Sequence, residues 1–178
     1  MKKVISLAIL IIIVLSTVVI VWENIFIEKP LSVTNFEECL DLGYPILETY
    51  PRQCKTPNGT FTENIGNALE KQNLIRVSKP QPNEAIKSPL EITGEARGYW
   101  FFEASFPIKL IDENGKELGI AIAQSKSDWM TEDFVPFEVT LEFEKPETNR
   151  GVLILEKDNP SGLPENADEL QIPVRFSN

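Results

Sequence analysis

The chain has 178 residues, room for one ordinary domain and a small companion but not for two large domains. Hydrophobic residues make up 42% and charged residues 25%, and 10 Phe, 3 Trp and 3 Tyr can fill a core, which excludes wholesale disorder. A formal charge of −10, with no Lys/Arg cluster beyond Lys2 and Lys3, argues against nucleic acid as a partner, and the absence of histidine removes Ser/His and Cys/His nucleophile pairs.

Residues 4–22 read VISLAILIIIVLSTVVIVW, an uncharged apolar run of the length a helix needs to cross the hydrocarbon of a bilayer. Lys2 and Lys3 precede it, and Glu23 and Glu28 follow it. The positive-inside rule then predicts a single-pass anchor over 1–28 in the plasma membrane, with a cytoplasmic N-terminus and an extracytoplasmic remainder. The alternative is a cleaved signal peptide, although the run continues into Val21-Trp22-Glu23 without the small residues of a cleavage site.

A small module is expected over 29–65. It holds both cysteines of the chain, Cys39 and Cys54, which pair if the compartment is oxidising. Closing a loop of this length contributes roughly 3 kcal/mol in the chain-entropy model. Asn35 is suited to cap a short helix with Glu37 and Glu38 in its first turn, and Gly43 to end it. Pro57-Asn58-Gly59 predicts a tight turn. The stretch 54–64, CKTPNGTFTEN, resembles the central part of a Kazal-type inhibitor, over about a dozen residues and with two cysteines where the Kazal pattern uses six. That resemblance implies a protease-binding loop; the bland alternative is a disulfide-stapled knob. Asn58-Gly59-Thr60 is a glycosylation triplet as well as a turn signal.

A polar linker follows over 66–74, with helical character in 66–73. From Ile75 onward the chain becomes short alternating runs separated by turns. Strands are predicted over 75–79, 90–94, 102–111, 117–124, 134–143, 151–156 and 170–176. In the third, Phe102, Ala104, Phe106, Ile108 and Leu110 fall on one face, while Pro107 on the other suggests an edge or a bulge. Asp112-Glu113-Asn114-Gly115 reads as a hairpin turn. Seven such strands predict an immunoglobulin-like β-sandwich over 75–178, without an inter-sheet disulfide.

Val77, Pro80, Ile86, Ser88-Pro89-Leu90, Ile92, Gly94, Ala96 and Phe102-Glu103-Ala104, continued by Gly115, Pro136-Phe137, Phe143 and Gly151, carry a further resemblance. This run is similar to the bacterial spore-germination immunoglobulin-like domain, the Gmad type, over 75–176. The resemblance implies an extracytoplasmic β-sandwich with a cell-envelope binding role and no known chemistry, and it supplies no catalytic residues.

The two cysteines, once paired, offer no thiolate, and the glycines are scattered at turns rather than gathered into a phosphate loop. Two acidic loops raise the question of calcium: Asp112-Glu113-Asn114, and Asp158-Asn159 with Glu165, Asn166, Asp168 and Glu169. Neither has the spacing of an EF-hand, and no metal site is assigned. Tyr99, Trp100, Phe101 and Trp129 are the candidate binding residues, because aromatics beside loops supply contact area at low entropic cost. Packing at the end of the sandwich is the alternative, and Phe102 is expected in the core.

These readings together predict an all-β chain: a seven-stranded immunoglobulin-like sandwich preceded by a transmembrane helix and a disulfide-stapled module. Its expected role is non-catalytic binding or scaffolding in the bacterial cell envelope, with no cofactor. The expected partners are the membrane, through the N-terminal helix, and an unknown envelope protein or polymer. The alternatives are a protease inhibitor acting through the loop from Cys54 to Phe61, and a hydrolase using paired carboxylates.

Overall fold

The computed structural model describes residues 32–177. The first element, helix α1 (Phe36–Asp41), is set by its ends. Asn35 accepts a hydrogen bond from the Glu38 N–H at 2.8 Å, and the Glu38 carboxylate accepts from the Thr34 N–H and hydroxyl at 2.8 and 2.9 Å. Those two bonds lower the Glu38 pKa. At the other end Gly43, at φ 73°, donates to the Leu40 carbonyl and Tyr44 to that of Cys39, a Schellman closure. Strands β1 (Ile46–Leu47), β2 (Gln53–Thr56) and β3 (Gly59–Thr62) then form a three-stranded antiparallel sheet in that order. The Cys39–Cys54 disulfide joins α1 to β2, with Cα atoms 6.1 Å apart. The buried apolar cluster of this module consists of Phe36 and the two cysteines, so the cross-link substitutes for a core.

A one-turn helix α2 (Ala68–Lys71) leads into β4 (Ile75–Lys79), β5 (Ala85–Ile86), β6 (Leu90–Arg97), β7 (Ser105–Asp112), β8 (Glu117–Ser125), β9 (Phe134–Leu141), β10 (Arg150–Glu156) and β11 (Glu169–Phe176). One eight-stranded sheet runs β4-β6-β9-β8-β7-β10-β11-β5. It bends where β8 and β9 pair only at Gln124–Glu138 and Ser125–Phe137, so β4-β6-β9 and the remaining strands form two facing layers of a half-barrel sandwich. Alternation fills the space between them. Phe106 of β7 meets Phe137 of β9 edge-on at 4.9 Å and Phe101 at 5.1 Å, with Ile92, Ile108, Leu110, Leu141, Leu153 and Leu155 fully buried around them.

The sheet edge at β11 is covered along its length. The Asn67 side chain donates to the Glu169 carbonyl at 3.0 Å and accepts from the Gln171 N–H at 2.7 Å. The Asn83 N–H donates to the Pro173 carbonyl, and β5 pairs in parallel with Arg175 and Phe176. Asn83 also joins the module to the sandwich. Its side-chain amide donates to the Glu63 carboxylate at 3.1 Å and the Asn64 carbonyl at 2.8 Å. Its own carbonyl accepts from Arg175 Nε at 2.7 Å. Glu63, 7% exposed, takes two more bonds from the Arg52 guanidinium at 2.9 and 2.6 Å, and that guanidinium lies over the Phe36 ring. Arg150 Nη1 pairs with Glu37 at 3.1 Å as a second tie.

Several expectations are corrected. The apolar run 4–22 and the anchor over 1–28 lie outside the described residues, and among those described no helix is long and apolar enough to cross a membrane. Over the described residues the fold class is an all-β, disulfide-stapled immunoglobulin-like sandwich, and nothing in those residues supports the expected transmembrane helix, the membrane as partner or the single-pass plasma-membrane topology. The sandwich has eight strands rather than seven, the addition being the two-residue β5. Strand β7 starts at Ser105 rather than Phe102. Pro107 does not lie on an edge strand; it sits just past Ile108, where the ladder with β10 ends, so its missing N–H costs no bond there.

Candidate functional site

Three segments build one end of the sandwich: the chain between β6 and β7, the loop 126–133, and the loop after β10. Gly98 opens a 3-10 turn through Trp100 and donates to the Asp133 carbonyl at 3.1 Å. A Cβ at Gly98 would lie 1.9 Å from the Thr131 oxygen and 2.2 Å from that of Trp129, so only glycine lets these segments touch. Arg97 fixes the same loop from below. Its guanidinium donates to the carbonyls of Asn73 and Glu132 at 3.0 and 3.1 Å and lies over the Phe134 ring, 4.0 Å from the centroid. Within the loop, Asp128 Oδ1 accepts from the Met130 N–H at 3.0 Å and Thr131 Oγ1 from the Asp133 N–H at 3.2 Å.

Next to it the chain reverses in a two-residue hairpin. Phe102 and Ser105 exchange backbone hydrogen bonds at 3.0 and 3.1 Å around Glu103 and Ala104, whose φ angles are 49° and 64°. Paired positive φ angles suit the strand twist, but each costs a residue with a Cβ roughly 1–2 kcal/mol. The hairpin is therefore held by its surroundings, and it lifts Phe102 and Glu103 into solvent.

The sequence candidates separate into core and surface. Trp100 is 0% and Phe101 3% exposed; both belong to the core and offer no contact surface, a correction that follows from the 3-10 turn, which folds them inward. Trp129 is half-buried against the core. Tyr99 is exposed. Phe102, expected inside, is 41% exposed, and Met130 is 77% exposed, so the end carries two large apolar side chains that sequence reasoning missed. Met130 follows Trp129 directly, the one local signal that could have found it.

A cleft of about 780 Å³ adjoins this end, reached through Ser105 and Asp158, whose N–H donates to the Trp100 carbonyl at 3.0 Å. Its walls carry Glu70, Lys71, Glu156, Lys157, Asp168 and Glu169. Lys71 pairs with Asp168 at 2.5 Å and Lys109 with Glu156 at 2.8 Å. The hydrogen bond that Lys109 donates to the Glu156 carboxylate holds the Lys109 pKa above its usual value. Among the described residues no group of three or more His, Cys, Asp and Glu side chains is placed to hold a metal ion. Asp112, raised above as a calcium candidate, spends Oδ1 on the N–H groups of Asn114 and Lys116 in its own turn.

The stretch behind the inhibitor reading is a hairpin of the disulfide module. Residues 53–62 form the regular β2–β3 hairpin, paired from Gln53–Thr62 to Thr56–Gly59, with Cys54 fully buried.

No curated protein and no solved structure gives a significant match to this chain. A family model, the immunoglobulin-like domain of bacterial spore germination (Gmad2), matches residues 74–162, which is half of the chain and runs from the entry to β4 through β10 and the loop after it. The chain therefore belongs to the Gmad2 family of immunoglobulin-like domains.

Proposed function

We propose that this protein is a non-catalytic binding domain of an extracytoplasmic type, and that it engages its partner through the end carrying Tyr99, Phe102, Trp129 and Met130. One observation carries the reading: large apolar side chains stand in solvent on loops that the core, the close contact at Gly98 and the Arg97 bonds hold rigid. Apolar groups on a rigid frame bind with little loss of entropy, and their concentration at one end marks an interaction site rather than scattered exposure. Trp100 and Phe101 act from beneath, as the floor on which the contact residues rest. A buried disulfide supports an oxidising compartment, and Gmad2 membership supports a role without chemistry.

Retention of the full-length chain on the cell-envelope fraction and on purified peptidoglycan tests the proposal. A Phe102→Ser, Met130→Ser variant is expected to lose most of the retention while keeping the wild-type circular dichroism. Equal retention of both proteins would refute it.

A further inference from the structure

The proposed binding end is ringed by charge of one sign. Glu103, Asp128, Glu132 and Asp133 are all exposed, and none of them is ion-paired among the described residues. The cations nearby are turned to internal work. The Arg97 guanidinium bonds two backbone carbonyls and stacks on Phe134, and Lys126 pairs with Glu138. In the adjoining cleft, Lys71 is paired with Asp168 and Lys157 donates to the Asn166 carbonyl, so that two lysines face five carboxylates, of Glu70, Glu156, Asp158, Asp168 and Glu169, and the cleft keeps an acidic excess.

On that reading of the binding end, we infer that its occupant is a cationic segment of a partner protein. Its apolar side chains seat on Tyr99, Phe102 and Met130, and its Lys or Arg side chains meet the acidic rim and the mouth of the cleft. Charge complementarity selects this occupant. A polyanion or an anionic lipid surface would be repelled by the rim and by the formal charge of −10. An uncharged polysaccharide would leave the carboxylates unmatched. Exposed ion pairs add little affinity singly, so the apolar contact supplies the grip, and the rim supplies encounter rate and discrimination.

The test uses the full-length chain in a non-ionic detergent with a detergent-only titration subtracted. The probes are a fluorescein-labelled peptide of alternating Lys and Leu, its Glu/Leu counterpart and a Lys/Ser peptide of equal length, read by anisotropy. The Lys/Leu peptide is expected to bind about tenfold or more tightly than either of the others, and to weaken with added salt. Binding should fall about tenfold in Phe102→Ser, Met130→Ser and in Asp128→Asn, Glu132→Gln, Asp133→Asn. It should hold in Glu91→Gln, Glu142→Gln, at the opposite end of β6 and β9. Equal loss in that remote pair would mean diffuse attraction to an acidic protein and would overturn the inference, as would no binding of the Lys/Leu peptide. Glu/Leu binding that is as tight and that Phe102→Ser, Met130→Ser abolishes would overturn the cationic occupant while leaving the binding end in place.

Discussion

Replacing Glu63 by Gln tests whether the disulfide module is docked on the sandwich or merely tethered to it. Glu63 is almost wholly buried and accepts two bonds from Arg52 and one from Asn83. Hydrogen bonds to charged groups contribute about 1.5–3 kcal/mol, and Gln keeps one acceptor oxygen while setting an amide N–H₂ against the guanidinium. Arg52 is 38% exposed on its side chain and can rehydrate, which holds the loss to about 2 kcal/mol rather than the larger cost of a fully buried orphan charge. For a chain of this length that corresponds to a fall in Tm of about 4–8 °C. The acid branch provides an independent readout. The Arg52 bonds depress the Glu63 pKa below 4.5, so its contribution is complete above the unfolded value and fades as pH falls through the lower folded value. Wild-type Tm should therefore drop more steeply below about pH 4.5 than that of Glu63→Gln, and the two curves should converge in acid. Thermal melts by circular dichroism from neutral pH downward, with proteolytic release of the module as a second signal, make the measurement. A variant within 1 °C of wild type at neutral pH, with a parallel acid branch, would refute the clamp.

Three further outcomes follow from the geometry. Cys54→Ser, or reduction of the disulfide, should cost about 3 kcal/mol and open residues 36–62 to protease, because the buried apolar cluster there is no more than Phe36 and the two cysteines; urea titration with and without reductant measures it. Glu103→Gly with Ala104→Gly should relieve the left-handed backbone and leave stability unchanged or higher by about 1 kcal/mol, whereas a fall in the urea midpoint would contradict the hairpin geometry. Phe137→Ala should cost about 3–5 kcal/mol by removing a buried ring that packs edge-on against Phe106, seen as a lower urea midpoint.

What the sequence made legible was local. Strict alternation in stretches such as Ile108–Leu110 and Ile172–Val174 reports a half-buried sheet directly, and Asn35 with Gly43 brackets α1 because caps are short-range devices. With two cysteines, one pairing was available. The Ser88-Pro89-Leu90 run and Phe102-Glu103-Ala104 carried the family resemblance that the Gmad2 match now supports over 74–162. Other features were hidden for physical reasons. Phe102, Ala104 and Phe106 keep the period of a strand straight through a hairpin that reverses the chain, so an exposed residue imitates a core one. The 3-10 turn at Gly98 rotates Trp100 and Phe101 inward, which alternation cannot anticipate. Strand β5 is only two residues long, and Glu63 meets Asn83 across a tertiary contact that leaves no periodic trace.

Docking on the end bearing Phe102 and Met130 sets a partner against position 102. A photoreactive benzoylphenylalanine in place of Phe102, irradiated in the native cell, tests it most directly. The same substitution at Glu113, just past the opposite end of β7, is the control. A discrete protein adduct from position 102 and none from position 113 is the predicted result. No adduct at 102, or the same adduct from both positions, would contradict the account.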